Sequence, residues 1–384
     1  MLMKCFPSTR HMLVLLLLFM SSLPGTAEKA EALYDQGELP AFWKTRVEDI
    51  EAAVRQVRKG TVQVIAHSPG GRPVYLVSYG NPTDLKRQAN YNSSIATRDI
   101  KYYANKDEET PPIVFFIGPP HGQEVEGMAG MVNLLQVAET GRDLRGREWS
   151  RLQENLEKCR VLIVPLANPD GRARCPYDSL VGIPINEMTR VGQGTRKDGS
   201  LYGWPGAKQV HPMAGDVGIL GAYFNDDGIN LMHDEWFDPM AEETRALLRV
   251  AREEAPDYIL NLHSHGSNPA ILHTAYAPRF HKELIANFAS GLMQRYQQHQ
   301  LPAGSVPEPR EDGTTYPPPS FNLTSALHHT SGGVSMLFEC PHGSKETRYP
   351  QVTHDQILDL QMILYDELLN YAVEHPRPYL IRKD

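Results

Sequence analysis

Ile113-Val-Phe-Phe-Ile117-Gly118-Pro-Pro-His121-Gly-Gln-Glu124 is the stretch that decides the fold. Five apolar residues, β-branched or aromatic, stop at Gly-Pro-Pro. A run that short and that uniformly apolar reads as a strand covered on both faces, as in a parallel sheet, not as a half-exposed strand with alternating residues. Residues 125–140 then read as a helix. The same grammar recurs downstream: helix 149–158 before strand 161–165, helix 240–254 before strand 258–262, helix 280–299, strand 334–338 and a closing helix over 350–371. Strands alternating with helices predict an α/β fold whose sheet is mostly parallel.

Upstream, Val47, Ile50, Val54 and Val57 recur at helical spacing within 42–59. Residues 62–67 and 74–79 read as strands split by the turn Ser68-Pro-Gly-Gly-Arg-Pro73. Residues 81–109 are polar and read as a surface excursion. The least regular stretches, 172–226 and 302–322, are rich in Gly and Pro; loops of that length inside a compact domain are commonly functional walls. No internal repeat or linker interrupts 28–384, which reads as one catalytic domain.

The first 27 residues have a different character. Lys4 and Arg10 precede the apolar run 12–20, and Ser21-Ser-Leu-Pro-Gly25-Thr-Ala27 follows. A charged start, a short apolar run and a small-residue exit form the pattern of a secretory signal peptide, here cleaved after Ala27. The run is too short to span a bilayer comfortably. The expectation is therefore a secreted or periplasmic protein without stable membrane insertion after cleavage. A formal net charge of -8 argues against a nucleic-acid partner. Cys159, Cys175 and Cys340 remain after the leader, with no CxxC spacing. Small buried thiols are the favoured reading, and a Cys159–Cys175 bridge is the alternative.

Three segments carry chemistry, and each lies at or just past a strand end, where open α/β sheets bind their ligands. His121 and Glu124 stand three apart on a strand exit that turns into a helix. They can offer a nitrogen and a carboxylate to one point, both donors that zinc accepts at about 2.0–2.2 Å. His263 continues the strand Ile259-Leu-Asn-Leu and supplies a third donor, while His265 faces the pocket two residues on. Glu339 closes the apolar run Val334-Ser-Met-Leu-Phe338. A carboxylate there is costly unless it is paired, solvated in a cleft or metal-associated, and partial burial raises its pKa toward the range of a general base. Three ligands, an open position and a separate carboxylate make the constellation of a catalytic zinc site with one ion per chain.

On these residues the chain resembles the zinc carboxypeptidase family of metallopeptidases, as a divergent, bacterial-type member. Ser68-Pro-Gly-Gly-Arg-Pro73 is similar to that family's strand–turn–strand opening, His121-Gly-Gln-Glu124 to its first zinc motif and Asn168-Pro-Asp-Gly171 to a turn after the next strand. His263-Ser264 is similar to its third ligand and Phe338-Glu339 to its catalytic glutamate. The resemblance implies a mixed, mostly parallel twisted sheet of about eight strands sandwiched between helices. It also implies an oxyanion-stabilising arginine, for which Arg196 matches best, with Arg190 in reserve.

The departures matter as much. Where the family carries Gly-x-Asp-x-Asn-Arg-Asn, this chain has Gly228-Ile-Asn230-Leu-Met232-His233-Asp234. The Asn-Arg pair that grips a terminal carboxylate becomes Met232-His233, and a histidine offers at most one weaker contact. His233 and His265 are candidate substrate contacts. Alignment on Ser331-Gly-Gly adds His328, at the position of a substrate-facing tyrosine. Glu126 is similar to bacterial relatives that trim cell-wall peptides, or is simply first-turn helix charge. The leading expectation is a metallopeptidase acting on a peptide or an acylated amino acid. A deacylase or amidase for N-acylated small molecules or murein peptides, and a zinc-dependent binding protein without turnover, are the rivals.

Overall fold

The computed structural model describes residues 28–313, 316–346, 348 and 350–377. The leader expected over 1–27 lies outside them. Seven strands form one sheet in the order β1-β2-β4-β3-β5-β7-β6. They are β1 (Thr61–His67), β2 (Pro73–Tyr79), β3 (Ile113–Ile117), β4 (Arg160–Val164), β5 (Tyr258–His265), β6 (Ala270–His273) and β7 (Val334–Pro341). The four central strands β4, β3, β5 and β7 run parallel, while β1, β2 and β6 pair antiparallel at the two sides. The sheet is therefore mixed and mostly parallel, as expected from the sequence, with seven strands among the described residues where the resemblance implies about eight. Strand β6 is not legible in the sequence: of its four residues only Ile271 is buried.

The continuous apolar runs divide strictly by parity. Val114, Phe116, Val161, Ile163, Leu260 and Leu262 enter one core, and Ile113, Phe115, Leu162, Val164 and Ile259 enter the other. Both faces are covered, which is why these strands lack the polar alternation of an exposed sheet. Ten α-helices are described: α1 (Val47–Gln56), α2 (Tyr91–Ala96), α3 (Val125–Thr140), α4 (Ser150–Lys158), α5 (Pro169–Arg174), α6 (Ile185–Gln193), α7 (Glu242–Glu254), α8 (Arg279–Gln298), α9 (Leu323–Ser331) and α10 (His354–Glu374). Helices α1, α3, α4, α8 and α10 line the first face, and α7 with α9 lines the second. A Cβ on Gly130 would lie 2.5 Å from the Tyr365 hydroxyl, so only glycine lets α3 approach α10 this closely. Among the described residues, no helix is long and apolar enough to cross a membrane. Cys159, Cys175 and Cys340 are free, buried thiols, as favoured from the sequence.

The turn motifs serve a common purpose. Asp170, buried in the first turn of α5, accepts from Ser68 Oγ at 2.5 Å, from the Gly70 amide at 3.0 Å, from Arg72 at 2.7 Å and from the Asp226 amide at 3.1 Å. Arg174 pairs with Asp226 in the same network. One carboxylate thus ties together the β1–β2 turn, the helix after β4 and the far end of the long irregular stretch.

Candidate metal centre

His121 is held on the exit of β3 by contacts that leave it little freedom. The Gly122 amide donates to Ala222 O at 2.7 Å. A Cβ on Gly122 would sit 2.1 Å from the Arg172 nitrogen, so this loop lies directly against α5. Asn168 donates to Pro120 O at 3.0 Å and fixes the loop from below. Glu124 then occupies the N-cap position of α3.

These constraints bring His121, Glu124 and His263 together: one ligand atom from each lies within 4.8 Å of the others, and all three residues are buried. His121 Nδ1 lies 2.8 Å from Glu124 Oε1, and His263 Nδ1 lies 3.0 Å from Glu124 Oε2. Burial opposes the charge on Glu124, yet the imidazoles of His121 and His263 prevail and hold its pKa down to about 2. Burial lowers the pKa of His263. A carboxylate between two imidazole nitrogens is a donor set that suits zinc.

The tautomer of His121 follows from a neighbour. Asn230 Oδ1 accepts from the Met232 amide at 3.0 Å, which points the amide oxygen toward His121 Nε2, 3.2 Å away. With Nε2 donating to Asn230, Nδ1 is the ring nitrogen left to face the cluster, where it lies against Glu124 Oε1 and where an ion would take its lone pair. Tyr223 stacks on the other face of the ring at 3.9 Å between centroids and 9° between planes.

Glu339 stands opposite His263 in the parallel register of β5 and β7 and lines the same cavity of about 790 Å³. Burial, then the charge of Glu124, pushes its pKa up to about 8, with Lys208 opposing. His265 and His233 also line this cavity. His265 Nε2 lies 2.8 Å from Asn268 O. Burial, then Lys208, brings the His233 pKa down to about 3.

The remaining candidates from the sequence lie elsewhere. His328 is buried in α9, not on a solvated loop, with Nδ1 2.9 Å from Gly333 O and 3.2 Å from His281 Nδ1. It is not among the residues that line the cavity. Arg196 folds back on its own loop, donating to Leu201 O at 3.0 Å and lying 4.4 Å from the Tyr202 ring centroid. Arg190 pairs with Glu187 at 2.7 Å. Glu126 is fully buried in the first turn of α3, and burial pushes its pKa up to about 8, so it is not solvated helix charge.

Lys208 and Tyr223 line the cavity and went unnoticed in the sequence. Both belong to the irregular stretch, where neither periodicity nor spacing marks a residue. The stretch makes a small core of its own around Ala207, Met213 and Phe224.

The family model described as zinc carboxypeptidase matches residues 51–201, a span that includes His121 and Glu124 but neither His263 nor Glu339. Solved structures share the fold. A metallo-carboxypeptidase from Burkholderia cenocepacia is 16% identical with a TM-score of 0.51; the alignment covers 84% of this chain and 67% of that one. A metallo-carboxypeptidase from Pseudomonas aeruginosa, in complex with (2-guanidinoethylmercapto)succinic acid, is 16% identical with a TM-score of 0.50, covering 85% and 68%. No curated protein matches the chain by sequence.

Proposed function

We propose that this chain, in which residues 51–201 belong to the zinc carboxypeptidase family, is a zinc-dependent peptidase holding one ion through His121, Glu124 and His263 and using Glu339 as general base. The observation that carries this reading is convergence. Three buried donors from two strand exits meet within 4.8 Å, and a second carboxylate faces them across the β5–β7 register. Three protein ligands leave a tetrahedral ion one open position, the arrangement of a catalytic rather than a structural site.

Zinc held there supplies Lewis acidity, bringing the pKa of water to about 7 and polarising a carbonyl oxygen. The protein's own groups do the rest. Glu124 stays ionised between the two imidazoles, and Asn230 keeps the His121 lone pair directed inward. Glu339 takes the proton of the attacking water as the C–O bond forms. It then returns that proton to the amide nitrogen as the C–N bond breaks, so water is added across the amide and an acid and an amine are released. The substrate is a peptide or an N-acylated amino acid. A deacylase for N-acylated small molecules is the second reading, favoured by Met232 and His233 standing where the family's Asn-Arg pair is expected. The leader pattern before Glu28 supports an exported enzyme, secreted or periplasmic.

The test is Glu339→Gln, assayed on a mass-spectrometric panel of peptides and acyl amino acids with zinc measured in parallel. The expected outcome is full zinc content with a rate loss of about 10²–10⁴. A zinc-loaded variant with the wild-type rate refutes Glu339 as the base. Zinc-loaded wild-type protein that cleaves nothing in the panel favours a binding protein without turnover.

A further inference from the structure

Lys208 ends the 3₁₀ turn Gly206–Lys208 and lines the cavity that holds Glu339 and the metal-ligating cluster. Its ammonium lies 5.4 Å from the ring centroid of Trp204, an exposed residue on the same cavity. The described residues give this ammonium no salt bridge. The acids whose charge acts on it are Glu339 and then Glu124, and it is the first charged group acting on His233. The lysine thus shares one cavity with Glu124, Glu339 and His233, the residue that stands where the family carries an arginine. Surrounding protein pushes its pKa below the ordinary lysine value. A crowded ammonium without a counter-ion gains from an incoming anion.

We infer that Lys208 receives the terminal carboxylate of a peptide substrate, restoring from the irregular stretch the cation that is missing at His233. The inference deepens the peptidase reading and rests on it. A free-acid substrate entering this cavity meets a neutral His233, which offers a hydrogen bond without charge. The cationic side chains among the described lining residues, apart from histidine, are Lys208 and Arg348. Of the two, Lys208 is the one whose charge is felt at both Glu339 and His233. A lysine is a point charge on a flexible stem and lacks the planar fork of arginine. Recognition through it favours free acids over amides without demanding one carboxylate geometry.

Binding can be read without turnover. Zinc-loaded Glu339→Gln protein is titrated calorimetrically with N-benzoyl dipeptides of varied side chains, each as the free acid and as the C-terminal amide. The acids are expected to bind about tenfold more tightly than the amides. Adding Lys208→Met removes that difference and leaves amide affinity unchanged within about twofold, whereas Lys208→Arg keeps most of it. With Glu339 intact, Lys208→Met raises KM for the acids and leaves kcat nearly unchanged. Equal binding of acids and amides by the parent overturns the inference, as does an equal loss of both in the Met variant. Cleavage of both sets with equal KM leaves the peptidase reading standing and overturns the role of Lys208. If neither set is bound or cleaved, both readings fall.

Discussion

Glu339 and Lys208 face one cavity, but the floor and the wall that carry them are held in place by different physics. The floor is the row of strand ends of β3, β5 and β7. There a side chain's position is set by backbone register, with Phe115 opposite Ile259 and His263 opposite Glu339. Because strand side chains alternate between faces, a slip of one residue would move every side chain from one core into the other, where its packing partners differ, so the two packed faces lock the register. The wall is the segment 194–230, in which the described regular structure is one short 3₁₀ turn and the core is a handful of side chains. It is fastened to the floor at a few points: the Tyr223 stack on His121, the Gly122–Ala222 hydrogen bond and the Asn230 contact to His121 Nε2. The contrast separates two properties. On the proposed function, the strand ends carry the candidate ligands and the base, while the segment carries the cation proposed to receive substrate and touches the ligands through these few contacts.

The largest expected effect tests that separation directly. His263→Ala removes a floor ligand and should abolish both zinc content and hydrolysis to below detection, while Lys208→Met in the wall keeps zinc at parity with the wild type. Zinc loss in both variants would erase the distinction. Next in size is Asp170→Ala, at the junction of the two regions. It removes one of the two buried carboxylates that Arg72 reaches and leaves Asp226 to pair with both Arg72 and Arg174. Breaking a buried, hydrogen-bonded charge network by removing one member costs about 3–5 kcal/mol. Urea denaturation should show a loss of that order, and a change below about 1 kcal/mol would mean that the turn and the wall end hold without it.

The same contrast explains what the sequence could reveal. The four central strands were legible because burial on both faces writes itself as an unbroken apolar run. The candidate ligands were legible because they lie at or just past the ends of such runs. Helix ends were less so: the helical spacing is read within 42–59, but α1 runs only from Val47 to Gln56. At the other terminus Thr353 and Gln356 form a capping box that starts α10 at His354, four residues beyond the 350 boundary. Helix α9 was missed because its apolar period rests on little more than Leu323 and Leu327. His328, a candidate substrate contact in the sequence, packs on that helix against His281. Lys208 and Tyr223 had no local signature, since contacts distant in sequence place them.

Asn230 offers a sharper probe, because it is the wall's polar contact with a metal ligand. Asn230→Leu removes the acceptor that fixes the His121 tautomer and should weaken zinc affinity about 10–100-fold, measured by competition with a chelator. Asn230→Asp strengthens the acceptor with a full charge and should tighten zinc binding relative to the wild type. Identical affinities across the three proteins would make the contact passive and leave the site wholly to the floor.

The smallest effect lies at the root of the wall. Asn225 accepts from the Asp227 and Ile229 amides, at 3.1 and 2.9 Å, and so shapes the turn by which the wall returns to the floor. Its Nδ2 donates to the buried Glu243 of α7 at 3.3 Å. Burial pushes the Glu243 pKa up to about 8, more than the Asn225 contact lowers it. An unfolded glutamate titrates near about 4.3. Below that pH both states hold the proton and there is no penalty. Between the two values the folded protein keeps a proton that the unfolded chain has released, so stability falls as pH rises, and the cost levels off above about 8. Glu243→Gln resembles the protonated acid and does not titrate. The variant should match the wild type near pH 4 and become progressively more stable than it as pH rises to 8. Urea denaturation of both proteins at these two pH values isolates this group, because every other titration cancels in the difference. A difference that does not change with pH would mean that Glu243 is ionised in the fold and that a charge anchors Asn225. A difference growing with pH means that the wall is rooted on a neutral acid.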